Sequence, residues 1–153
     1  MNRFAAIALV SLLLTVGLAV GCSEEQSANR EEVSFDQLFG NPDQYRDKYV
    51  TVEGFYFGGF EIMALSEKLE YSGYAEGHLE PRGRMVWIEG GIPKEVYDRL
   101  HKQQMMGPLE RYGKLRVEGK FEYGAGYGHL GAYGAQIVPL EVELLQWSPR
   151  AKQ

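Results

Sequence analysis

The chain has 153 residues, 44% of them apolar, with ten tyrosines, nineteen glycines, one cysteine and a formal net charge of −5 at pH 7. That length supports one core of ordinary size but not comfortably two. The acidic balance argues against nucleic acid as a partner, because affinity for phosphate backbones is supplied by Lys and Arg, and it argues equally against a polybasic membrane patch. A single thiol forms no internal disulfide, so the folded part must rest on its core alone.

Asn2 and Arg3 make a short basic start, Phe4 to Val20 carries no charge, and Ala19-Val20-Gly21-Cys22 places the cysteine directly after a small residue. Basic n-region, apolar h-region and small-residue cleavage site are the layout of a secretory signal peptide. With a cysteine at the first position after the cut, the segment resembles the signal of bacterial lipoproteins. Ala19 departs from the Leu most usual three residues before the cysteine. The resemblance covers this segment only. It implies a diacylglyceryl group on the Cys22 thiol, cleavage before Cys22 and acylation of the new amine with a chain such as palmitate. The membrane is then a partner through lipid on Cys22, and the location is the bacterial cell envelope. In a Gram-negative cell, Ser23 rather than Asp after the cysteine permits passage to the periplasmic leaflet of the outer membrane, and in a single-membrane bacterium the same signal means the outer face of the plasma membrane.

The alternatives are a signal cleaved without lipidation and a retained anchor. The uncharged run is 17 residues long, at the lower limit for a bilayer core of roughly 30 Å. It contains Ser11, Thr15 and Gly17, and no basic cluster follows it. Residues 1–21 are therefore expected to be a lipoprotein signal peptide, and 22–33 the lipidated cysteine with a flexible acidic tether. A domain over 34–147 and a short tail over 148–153 complete the division.

Ser34 caps a helical turn over Phe35 to Phe39, and a second turn starts at Pro42. Lys48 to Phe57 alternates with β-branched and aromatic residues and predicts a strand. Gly58-Gly59 is expected to turn the chain into a returning strand over Phe60 to Leu65. Residues 66–83 read as a long polar loop, and Arg84 to Glu89 as a third strand. Pro93 opens a helix of about ten residues with Val96 and Leu100 on its apolar face. Met105-Met106-Gly107-Pro108 ends it. Lys114 to Tyr123 alternates Leu115, Val117, Gly119 and Phe121 with charged residues, and Ala135 to Trp147 makes the last strand.

Three strands, a helix and two strands give a mainly β fold with one or two helices. That order resembles the OB-fold, a five-stranded Greek-key barrel with a helix between strands 3 and 4. Val52-Glu53-Gly54 and Val117-Glu118-Gly119 place a glycine within strands one and four, which pair in that topology and must bend sharply. Another small barrel or sandwich and an open α+β sheet stay as alternatives.

Tyr123 to Gly134 holds five glycines and three tyrosines. In the OB-fold resemblance it is a loop flanking the ligand face, and aromatics there suit stacking against sugars, bases or peptides. Tyr56, Trp87, Tyr127, His129 and Tyr133 are the candidate ligand-binding residues. The competing reading is that the glycines serve turns and the tyrosines pack a barrel end. Gly124-Ala-Gly-Tyr-Gly-His is no dinucleotide fingerprint, because strand rather than helix follows.

Glu76, His78 and Glu80 alternate along the chain, so on an extended segment they would share a face and could hold a metal or a proton, with His129 joining from afar. Against that stands a solvated loop. Nucleophile-elbow, paired-histidine, Walker and catalytic-cysteine motifs are all missing. The expectation is a non-enzymatic binding or assembly module for an envelope protein, glycan or small ligand, with no catalytic residue, metal or cofactor. A metal-dependent or acid–base hydrolase of envelope polymers and a purely structural lipoprotein subunit are the alternatives.

Overall fold

The computed structural model describes residues 31–104 and 107–149. Cys22, the signal-like segment, most of the expected tether, Met105, Met106 and residues 150–153 lie outside them. The described chain is mainly β, with three short helices and one mixed sheet of seven strands.

Ser34 caps α1 (Phe35–Gly40) through a reciprocal box: its hydroxyl accepts from Gln37 N–H at 3.2 Å and the Gln37 side chain accepts from Ser34 N–H at 2.9 Å. Two orphan donors of the first turn are thereby satisfied. The helix α2 (Pro42–Tyr45) follows with Pro42 at its first position. Before them, Glu31–Val33 form β1, which lies parallel to β2 (Tyr49–Gly59). This short strand occupies the end of the expected tether.

The strand β2 buries Val50, Val52 and Tyr56 and returns as β3 (Ile62–Tyr71). Their turn is Phe60–Glu61, between paired Gly59 and Ile62, two residues beyond the expected Gly58-Gly59. Gly58 stays inside the strand because the Tyr56 ring folds over it. A Cβ there would meet the Tyr56 hydroxyl at 2.7 Å.

The expected loop over 66–83 is mostly strand. Tyr71 pairs with Leu79, so β3 and β4 (Leu79–Ile88) form a long antiparallel arm with a bulge between Ser66 and Lys68. Buried Ser66 donates toward the Phe55 and Lys68 carbonyls at that bulge, at 3.0 and 2.9 Å. Pro81 is tolerated because β4 pairs with a second neighbour only at Trp87 and Ile88, leaving the arm an edge that needs no further donor.

The helix α3 (Lys94–Arg99) is six residues, shorter than its sequence pattern suggests, and Leu100 is already extended at φ −62, ψ 152. His101–Gln103 form β5, which pairs with Tyr112, Arg111 and Glu110 of β6 (Glu110–Tyr127). Sheet pairing overrides helix periodicity here, while Val96 and Leu100 remain buried in both descriptions. β6 carries well past Tyr123, and β7 (Tyr133–Leu144) starts two residues earlier than expected. Trp147, expected inside the last strand, lies beyond it and packs edgewise on Phe55 at 5.1 Å between ring centroids.

The sheet order is β1-β2-β3-β4-β7-β6-β5, with a further pairing of β2 to β6. The pairings β2–β3, β3–β4, β7–β6 and β6–β2 are antiparallel and β4–β7 is parallel, so five strands form a closed ring. The two Val-Glu-Gly segments meet in it: Val52 faces Val117, and Gly54 faces Leu115. Inside the ring Leu65, Val86, Ile88, Leu115, Phe121 and Ile137 are fully buried. Outside it Arg84 ties the long arm to α1, donating to Glu67 at 2.9 and 3.0 Å and to Asp36 at 2.5 Å.

Candidate functional site

A cleft of about 660 Å³ opens between the tip of the β2–β3 hairpin, the end of β4, α3 and the β6–β7 turn. Its volume falls in the range of small-molecule sites. Three of the five sequence candidates line it: Tyr56, Trp87 and His129. Tyr133 stands behind them, its ring 5.3 Å from that of Trp87 at an angle of 49°. Tyr127 is one step further away, paired across strands with Tyr133.

Local structure explains the convergence. The Gly- and Tyr-rich segment is a strand extension closed by a tight turn at His129–Gly131, rather than a long loop. Gly128 turns the chain at φ 66, ψ −163, conformational space open essentially to glycine alone. There its backbone lies against the Trp87 ring: a Cβ would stand 2.6 Å from Cδ2 and 2.7 Å from the Tyr133 ring. The turn therefore delivers His129 to the cleft while bracing Trp87.

The hairpin tip supplies the opposite rim. Phe60 is 70% exposed, and Glu61 adopts φ 62, a left-handed conformation that tight hairpin turns require but usually fill with Gly, Asn or Asp. Glu61 reaches His129 Nε2 at 3.5 Å, joining the two rims. Leu130, next to His129, is left-handed as well at φ 52, and is 91% exposed. Glu61 breaks its local preference on the cleft itself, where functional sites are expected to do so, and Leu130 does so one residue beyond the lining.

Sequence reading missed Phe60, Glu61, Met63, Glu89 and Tyr97, all of which line the cleft. Glu89 accepts from the Trp87 indole N–H at 2.9 Å. A usable signal for it was Trp87-Ile88-Glu89, since alternate residues of a strand share a face. No comparable signal marked Tyr97, which comes in from α3.

Burial in the cleft wall pushes the Tyr56 phenol up from 10.0 to about 12, and the neighbouring Tyr97 adds to this. The unfolded chain then releases this proton first. The stability it supports is intact below pH 10 and declines as pH rises toward about 12. In an ultraviolet titration of the native protein, Tyr56 is expected to ionise late, and Tyr56→Phe should remove that late step.

Glu76, His78 and Glu80 do not converge. Glu76 is exposed, and Glu80 pairs with Arg82. His78 instead bridges Ser72 and Glu110, with Nδ1 2.9 Å from the Ser72 hydroxyl and Nε2 3.0 Å from Oε2 of Glu110. The carboxylate only accepts, so Nε2 carries the hydrogen directed at Glu110. Gln103 adds a bond to Glu110 at 2.8 Å and holds both backbone groups of Leu79. The network pins the end of the long arm to β5 and β6. His129 takes no part in it, being paired with Glu61, and His101 is exposed beside Tyr112 and Trp147. Among the described residues no group of three His, Cys, Asp or Glu side chains could hold a metal ion, and no helix is long and apolar enough to cross a membrane.

These features define a mixed-sheet β protein with an aromatic, acid-edged cleft at one end of a five-strand ring. Comparison with known proteins assigns it no family: no family model matches the chain, and neither does any curated protein or solved structure.

Proposed function

We propose that this protein is a lipid-anchored binding module of the bacterial cell envelope, and that its five-strand ring is an OB-type Greek-key barrel. The pairing order supports the barrel: β2-β3-β4 antiparallel, β4 to β7 parallel, β7 back through β6 to β2, with α3 between β4 and β6. The anchor rests on the signal-like segment and on Cys22. The observation that carries the binding reading is the gathering of Tyr56, Trp87 and His129, from β2, β4 and the β6–β7 turn, on one cleft. Fold alone assigns no function; the cleft supplies the argument.

Two measurements test it. Cys22→Ala is expected to move the protein from the membrane fraction to the soluble fraction, and membrane retention of a processed Cys22→Ala protein would contradict the anchor. Processed wild-type protein in neutral detergent, dialysed against the small-molecule fraction of the envelope, is expected to retain a compound detectable by mass spectrometry. Folded Trp87→Ala should lose it. Equal retention by that variant would place the site elsewhere.

A further inference from the structure

Apart from His129, which Glu61 faces at 3.5 Å, the ionisable side chains at the open edges of the cleft are acidic. Phe60, Trp87 and Tyr97 line it, with Tyr56 buried in its wall, and an aromatic ring face carries the negative lobe of its quadrupole. Two carboxylates, Glu61 and Glu89, lie on its edges, and no Lys or Arg side chain is among its lining residues. The nearby guanidinium of Arg111 is engaged behind the wall. It lies 5.0 Å from the centre of the Tyr97 ring and donates toward the Tyr97 and Asp98 carbonyls at the end of α3.

The two carboxylates are held at the aromatics rather than free to swing away. The Trp87 N–H fixes Glu89 at 2.9 Å, and the turn at Phe60–Glu61 sets Glu61 opposite His129. An anion would meet Glu61 and Glu89 here with no Lys or Arg to offset them, and the nearest cation-capable group, His129, already faces Glu61. A bare metal ion has no set of three ligand side chains among the described residues, and a cleft of about 660 Å³ lies in the range of sites that take organic ligands. Aromatic faces combined with carboxylates are the surroundings that favour an ammonium group, through cation–π attraction and direct charge pairing.

We propose that the cleft binds a small organic ammonium ion, seated against Trp87 and the neighbouring rings with its charge toward Glu89 and Glu61. This rests on the reading of the cleft as the binding site. Calorimetric titration of the processed full-length protein in neutral detergent tests it, with choline, 1,4-diaminobutane and the neutral choline isostere 3,3-dimethylbutan-1-ol as probes. At least one cation is expected to bind ten-fold or more tighter than the alcohol. Choline as the tighter cation indicates a quaternary ammonium ligand, and the diamine a primary one.

Glu89→Gln should weaken the tighter cation by ten-fold or more while leaving the alcohol unchanged. Cations that bind no better than the alcohol, or that do not bind, would overturn the ligand class. So would a Glu89→Gln protein that binds them as wild type does. The cleft itself would then still be judged by whether Trp87→Ala loses the compound retained from the envelope fraction.

Discussion

Gly119→Ala is expected to destabilise the protein by about 3 kcal/mol, at the upper end of the usual cost of overpacking. An added Cβ at this position would lie 2.7 Å from Cγ2 of Ile137 and 2.9 Å from the Val138 carbonyl carbon, and closer still to the carbonyl oxygen. The oxygen belongs to backbone, which cannot swing aside as a side chain can. Gly119 sits where the β6–β7 register shifts, and on its other edge it pairs with Val50 of β2. The strain therefore falls on a strand shared by both sides of the ring. Against a total stability of 5–15 kcal/mol for ordinary domains, about 3 kcal/mol is a large fraction. Urea unfolding should show a lower midpoint with an unchanged slope. Gly124→Ala is the control: its Cβ would touch nothing closer than the Tyr127 hydroxyl at 3.5 Å, and a change within about 0.5 kcal/mol is expected.

Gly128→Ala should cost a similar amount and, unlike Gly119→Ala, should disable the cleft. Forcing a side chain into its φ 66, ψ −163 conformation costs about 1–3 kcal/mol. The new Cβ would also stand 2.6 Å from the Trp87 ring, so that ring must leave its place against Tyr133. A folded Gly128→Ala protein is expected to lose ligand retention and to show altered tryptophan emission. Gly126→Ala separates the two effects. Gly126 is left-handed at φ 90 but has no atom within 4 Å of its Cβ position. Alanine there should cost only the backbone strain and leave binding intact.

Alternation made β2 and the middle of β6 readable from sequence. Val50, Val52, Leu115, Val117 and Phe121 are buried as their period of two requires, and the two Val-Glu-Gly segments pair across the ring. The Ser34 capping box was equally local and equally legible. The arm over 66–83 was not, because its apolar face is short: only Leu69, Tyr71 and Leu79 pack, on a small second core with Phe57 and Tyr112, while Lys68, Glu70 and Arg82 face solvent. The short β5 was hidden inside a helical period. Its strand state comes from β6, a partner that follows it in the chain.

The same contrast holds at the cleft. Trp87, Tyr56 and His129 stood out by residue type, and the glycines around His129 marked the turn that carries it. Glu61, Met63 and Tyr97 reach the cleft through a hairpin register and a helix placement that depend on the folded chain. Glu76, His78 and Glu80 illustrate the reverse error. Their spacing suggested a shared face, but only His78 and Glu80 flank the first residue of β4, and each finds its own partner elsewhere.

The chain has two tryptophans, Trp87 on the cleft and Trp147 among Phe55, Tyr112 and His101. Emission from two single-tryptophan proteins, Trp147→Phe and Trp87→Phe, therefore reports the two places separately when the retained envelope compound is added. If the cleft is the binding site, emission from Trp87 changes in a saturable way and emission from Trp147 stays flat. A saturable change at Trp147 with none at Trp87 would contradict the account.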